Sequence, residues 1–248
     1  MIILSILFFI TAILYSSVGF GGGSTYLALL LIWNIPYFIF PVIALLCNII
    51  VVTGNSINYV RAGSHNFKLL LPFLIGSIPL AFFGGTLIVN KEMFEILLFF
   101  VLSTAGLLLL INNKSYEDKN ITIKKINFFI SISIGSVLGL ISGIVGIGGG
   151  IFLSPILFLL KADRPQNIAT TASLFILINS ISGVFGQLTK ETILNETFSY
   201  WPLFLAVFAG GLIGNFLNLK ILSNRSLALI TSFLVIFIAI RMGFRVFI

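Results

Sequence analysis

One cysteine and one histidine stand in the whole chain of 248 residues. Cys47 alone can form no intrachain disulfide and no thiolate metal cluster. His65 sits in the polar stretch from Arg61 to Lys68, which reads as a loop, so the apolar segments hold no Ser-His pair and no histidine metal ligand. Acid is scarce too. Glu92, Glu95, Glu117, Asp118, Asp163, Glu191 and Glu196 all lie at the ends of apolar runs or between them. A carboxylate proton relay or a charged cation site at membrane depth therefore has no candidate, Glu95 being the acid closest to a segment interior. No Gly-x-x-x-x-Gly-Lys-Ser/Thr run occurs, so the chain does not hydrolyse ATP itself. Enzymatic chemistry has no visible machinery, and no cofactor is called for. The opening Met1-Ile2-Ile3-Leu4 lacks the basic start of a cleaved signal peptide and reads as the first membrane segment.

What is present is apolar. Hydrophobic residues make up 58% of the chain and charged residues 8%, against roughly 25% charged in a soluble domain. This is the composition of an all-α polytopic membrane protein. The net charge of +7 belongs to loops that face anionic headgroups and set orientation. The basic residues are scattered singly or in pairs rather than gathered in a patch, which argues against nucleic acid as a partner.

Apolar segments are expected near 2–33, 37–60, 68–89 and 92–111, then 126–161, 166–189, 198–220 and 225–246. The polar stretch Asn112 to Lys125 separates the two sets. Gly19-Phe20-Gly21-Gly22-Gly23 recurs 127 positions later as Gly146-Ile147-Gly148-Gly149-Gly150, and Pro72 to Gly84 matches Pro202 to Gly214 with three residues inserted. The pattern implies two pseudo-symmetric repeats of four segments, 1–111 and 126–248, joined by a linker at 112–125 within one transmembrane domain. The first segment of each repeat is too long. Residues 2–33 would make a helix of about 48 Å against a hydrocarbon core of about 30 Å. A break at the glycines, giving arms 2–18 and 24–33, absorbs the excess.

Parity stays open at this point. Arms that fold back as a re-entrant hairpin give inverted repeats; a broken helix that crosses once gives eight spans and parallel repeats. Counting Lys and Arg puts nine on the linker side and five on the other for eight spans, or ten and four for hairpins. Both place the linker in the cytoplasm. Paired broken helices at a shared site favour inversion.

Irregular backbone at membrane depth needs protein or a water-filled cavity around it. Ser24 and Thr25 follow the first pentad, where hydroxyls would cap the short arm and its positive end would face the glycine loop. Gly21, Gly22 and Gly23, with Gly148, Gly149 and Gly150, leave those N–H groups open to an anion. The competing explanation is close helix packing through small residues. Polar positions in the following segments are Asn48, Thr53, Asn55 and Asn58, then Thr170, Thr171, Ser173, Asn179, Ser180, Ser182 and Gln187. Such groups are costly in hydrocarbon without partners. Interhelical hydrogen bonding accounts for about half of this set, and Asn48, Asn55, Ser173 and Asn179 are the expected cavity-lining residues. Neutral donors without a nearby carboxylate suit a small anion rather than a cation.

The residues that carry these motifs resemble the sulfite exporter TauE/SafE family. They are Val18-Gly19-Phe20-Gly21-Gly22-Gly23, Ser142-Gly143-Ile144-Val145-Gly146-Ile147-Gly148-Gly149-Gly150 with Pro155, and Ala169-Thr170-Thr171-Ala172-Ser173-Leu174. The first half departs where Ala28 stands for Pro155 and where Ala44-Leu45-Leu46-Cys47-Asn48 stands for Ala172-Ser173-Leu174. The resemblance spans essentially the whole chain. It implies a multi-pass protein of a bacterial or archaeal cell membrane that moves sulfite, sulfonates or related sulfur anions. The expected partners are a small anionic substrate and the lipid bilayer, with a homodimer left open. A passive anion channel or a non-transporting scaffold would use the same glycines.

Overall fold

The computed structural model describes residues 1–17, 19–63, 65–111, 123–190 and 193–217, with residues 233, 236, 237, 239, 240 and 243 described singly. The described residues form helices joined by short turns. In order these are α1 (Ile2–Ser16), α2 (Gly23–Ile32), a 3₁₀ turn (Tyr37–Ile39), α3 (Phe40–Arg61), α4 (Phe67–Thr86), α5 (Lys91–Ile111), α6 (Phe128–Val145), α7 (Gly150–Leu159), α8 (Pro165–Gln187), α9 (Ile193–Phe198) and α10 (Trp201–Leu217). Tyr37–Arg61, Phe67–Thr86, Phe128–Val145 and Gln166–Gln187 are long and apolar enough to cross a membrane. The ten residues of α2 and of α7 would each cover about 15 Å, half a hydrocarbon core. Large apolar side chains such as Ile2, Phe83, Phe129 and Phe216 are exposed on the outside of the bundle, as lipid contact requires.

The first and fifth apolar segments are both interrupted at their glycines. α1 ends at Ser16, two residues before the end of the expected 2–18, and α2 begins at Gly23, one residue before 24–33; α6 and α7 are separated at 146–149. The segment expected at 198–220 is a helix over Trp201–Leu217, preceded by the unforeseen short helix α9. Most of the linker (112–122) and most of the last expected segment (225–246) lie outside the described residues.

Small residues set the packing. Along α6, Gly135, Gly139 and Gly143 stand at four-residue intervals beneath the carbonyls of Phe73, Ser77 and Ala81 on α4, and a Cβ at any of them would collide with that carbonyl. On α10, Gly210 and Gly214 meet the carbonyls of Phe9 and Ile13 on α1 in the same way. Both pairs run parallel, because position rises together in each partner. The close backbone approach is that of small-x-x-x-small membrane interfaces. At the centre α3 and α8 lie against each other, joined by a 3.1 Å bond between the Ser56 and Ser173 hydroxyls. Ser182 Oγ donates to the Ile78 carbonyl at 2.7 Å and ties α8 to α4.

Two ends of the bundle follow from these contacts. At the first, the end of α2, the starts of α3 and α5 and the ends of α4 and α8 surround two adjoining clefts. At the second, the Lys124 N–H donates to the Lys161 carbonyl at 3.0 Å, bringing the approach to α6 beside the end of α7. There the buried Asp163 carboxylate accepts from Asn66 Nδ2 at 2.7 Å, from the Arg164 N–H at 2.7 Å and from Asn167 Nδ2 at 3.0 Å. A loop acid thus fastens the start of α4 to the start of α8.

Candidate functional site

The backbone between α1 and α2 turns through Gly22, whose φ of +83° is the left-handed conformation that glycine alone adopts without strain. Gly149 holds the equivalent place before α7 with φ of +76°. Each is the residue immediately ahead of a helix, and neither helix carries a side-chain cap. The expectation that Ser24 and Thr25 cap α2 is therefore corrected. Both lie inside its first turn, and the Thr25 hydroxyl is engaged with Tyr15 Oη at 2.8 Å. Without a side-chain cap, the leading N–H groups of α2 and α7 keep their partial positive charge at the loops.

Asn48, on α3, stands between the two loops. Its Nδ2 donates to the Ile147 carbonyl of the second loop at 3.1 Å. A Cβ on Gly21 would overlap Asn48 Oδ1, one on Gly23 would stand 2.8 Å from Asn48 Nδ2, and one on Gly148 would stand 2.7 Å from the same nitrogen. Both loops thus close on one side-chain amide, and the missing side chains make that approach possible. Ile176 on α8 faces Asn48. Its Cγ2 lies 3.1 Å from the Cβ position of Gly21 and 3.0 Å from that of Gly148, and its side chain fills the space beside Gly150.

Donors remain at this junction. Asn48 Nδ2 carries two hydrogens, and the Ile147 carbonyl takes one. The Ser180 hydroxyl, 3.0 Å from the Cβ position of Gly148, is buried and has no hydrogen-bond partner among the described residues; the same holds for the buried Ser24 hydroxyl in the first turn of α2. A buried polar group with no protein partner is open to a bound water or ligand.

The other sequence candidates are placed differently. Ser173 is occupied by Ser56 between α3 and α8. Asn179 Nδ2 donates to the Phe175 carbonyl of its own helix at 2.9 Å. Asn55 is buried two helical turns beyond Asn48, roughly 10 Å along α3, with its Nδ2 unpartnered. Sequence reasoning passed over Ile176, which carries no polar signal, and counted Ser180 among many hydroxyls. It also missed Tyr59, whose ring sits where a side chain on Gly19 would stand.

The family model for the sulfite exporter TauE/SafE matches residues 4–242, and the chain belongs to that family of multi-pass membrane transporters. A probable membrane transporter protein of Sinorhizobium fredii is 27% identical over 232 residues, 93% of each chain. One from Methanocaldococcus jannaschii is 30% identical over 204 residues, 77% of this chain and 73% of its own. A third, from Haemophilus influenzae, is 38% identical over 61 residues, 25% of this chain and 23% of its own. No solved structure matches the chain.

Proposed function

We propose that this TauE/SafE-family chain is a secondary transporter of a small anion, of the sulfur oxyanion or organosulfonate type, bound between its two glycine loops. One observation carries the reading: the uncapped starts of α2 and α7 converge with Asn48 on one buried junction. An anion there would meet two positive helix ends, the second hydrogen of Asn48 Nδ2 and the hydroxyls of Ser24 and Ser180. All are neutral donors. They hold a negative charge without a cation that would have to be desolvated with it, and none can become a competing anion. The restriction to sulfur rests on the family; the donors select for charge and size.

The reading extends to inverted repeats, 1–111 and 126–248, joined by the linker at 112–125. Two packing relations support it. Gly84 of α4 lies against the carbonyl of Leu140 on α6, and Gly214 of α10 against that of Ile13 on α1, with each residue standing at its counterpart's place in the other half. The α6–α7 pair begins and ends at the second end of the bundle, whereas α2 leads to the first, as re-entrant hairpins entering from opposite sides would. Among described residues, Arg61, Lys68, Lys124, Lys125, Lys161 and Arg164 stand at the second end, and Lys91 and Lys190 at the first. The second end is then cytoplasmic.

Asn48 and Ile176 hold the junction shut from α3 and α8. Transport requires those two helices, or the hairpins they contact, to part toward one side at a time. Flux into proteoliposomes of sulfite, thiosulfate, sulfoacetate and sulfate, with and without a pH gradient, tests the proposal. Saturable accumulation of at least one supports it. Flux that neither saturates nor is stimulated by the same anion on the opposite side indicates a channel, and none above empty liposomes removes transport of these anions.

A further inference from the structure

At the first end of the bundle a cleft of about 90 Å³ is lined by Tyr37, Phe38, Pro41, Leu87, Val89, Ile144, Gln187 and Lys190, among others. Its inner wall adjoins the second glycine loop. Ile144 lies two residues before Gly146, and the Pro41 backbone fills the space where a side chain on Gly146 would be. Lys190 Nζ donates to Gln187 Oε1 at 2.8 Å, and Gln187 Nε2 donates to the Gly143 carbonyl at 2.8 Å. A cation is thus held by a fixed amide whose other end grips α6 just ahead of the loop.

We infer that this cleft is an outer anion-loading site, with Lys190 drawing a small sulfonate-type anion toward the second glycine loop from the first end of the bundle. The inference rests on the anion-transport reading, although its test does not. Lys190 has two ammonium hydrogens beyond the one that Gln187 accepts. The walls are otherwise apolar, so its field is weakly screened inside the cleft. Tyr37 is the other titratable group on the wall. Lys91 and Glu95 line the adjoining cleft of about 240 Å³ across Tyr37, and Glu196 is exposed on α9; Glu191 lies outside the described residues. Half-burial lowers the Lys190 pKa to about 8. The ammonium is therefore charged at pH 7 and discharges as pH rises through 8, and anion attraction is present below that range and lost above it. At the first loop the Tyr59 ring lies where a side chain on Gly19 would stand.

The test uses Val89→Cys in a Cys47→Ala background, as purified full-length protein. Its modification rate is measured with a sulfonate-bearing and with a trimethylammonium-bearing methanethiosulfonate. The ratio of the two cancels the ionisation of the thiol itself. At pH 7 the anionic reagent should be favoured, and Lys190→Gln should lower the ratio about fivefold while Lys190→Arg preserves it. With Lys190 intact, the ratio should fall by a similar factor between pH 7 and pH 9, and Lys190→Arg should remove that fall. Methanesulfonate should slow modification in the Lys190 protein and not in Lys190→Gln. A ratio unchanged by Lys190→Gln, or flat with pH while Lys190 is present, overturns the inference. The pH series answers even if the glutamine variant does not fold. A failed flux assay would remove the transport reading and leave this result standing.

Discussion

The side-chain amide of Asn48 donates to the main-chain carbonyl of Ile147 at 3.1 Å, across 99 positions of sequence. This bond fastens the middle of α3 to the loop that precedes α7 and places an amide where both glycine loops converge. Replacing Asn48 by Leu keeps the branching of the side chain and removes every donor. The Ile147 carbonyl, left without that partner, should cost about 1–3 kcal/mol, seen as a lower thermal midpoint in detergent. Anion flux should fall at least about tenfold, the loss expected for 1.4 kcal/mol of substrate stabilisation. A monodisperse Asn48→Leu protein with normal flux would place the substrate elsewhere.

Gly22→Val and Gly149→Val should insert and purify yet lose transport. A β-branched residue is strained at these positive φ values, and at Gly149 a Cβ would stand 2.8 Å from the Phe175 ring. The same side chain would cover the leading N–H groups of the following helix. Size-exclusion profiles and flux should therefore separate: intact profile, absent flux. Collapse of both together would assign these glycines to packing alone.

Gly139→Leu makes the contrast. On α6 a Cβ at this position meets the Ser77 carbonyl and must drive α4 away. Overpacking of this kind costs about 1–3 kcal/mol or more. Loss of monodisperse protein is the expected result, and a normal thermal midpoint would contradict the α4–α6 interface.

Glu95→Gln should leave the pH dependence of transport largely unchanged. Glu95 lines the cleft beside Lys91 at the start of α5, away from the glycine loops. Charge movement alone can drive accumulation, since one charge across 100 mV is worth about 2.3 kcal/mol. Loss of proton-driven uptake with exchange preserved would make Glu95 a coupling residue.

Orientation can be read with impermeant thiol reagents on intact cells in a Cys47→Ala background. Ile88→Cys, highly exposed at the first end, should label from outside. Ser115→Cys, in the linker, should resist. The reverse pattern would invert the assignment drawn from Lys and Arg.

The helical layout could be read from the chain because lipid forces it: apolar runs of membrane length and an interruption wherever a run is too long. The glycine pentads announced both breaks, since few other residues accept the φ of Gly22 and Gly149. Asn48 was readable for a related reason, an amide in hydrocarbon requiring a partner. Ser173 and Asn179 look the same in sequence, yet one bonds across to Ser56 and the other to the Phe175 carbonyl of its own helix. Only the rotation of α8 about its axis separates them from Ser180. Ile176 gave no signal, because an aliphatic residue in an apolar helix is unremarkable until its neighbours are glycines. The capping role expected of Thr25 failed because Tyr15, ten residues earlier, claims its hydroxyl once the arms fold together.

The central claim is an anion held between the loops at Asn48. Selenite, the heavier analogue of sulfite, can be located by anomalous X-ray scattering from crystals of the intact protein grown with it. The expected result is a selenium peak within hydrogen-bonding distance of the Asn48 amide, between the starts of α2 and α7, lost in Asn48→Leu. Selenium bound elsewhere, with none at Asn48, in a protein that transports sulfite would contradict the account.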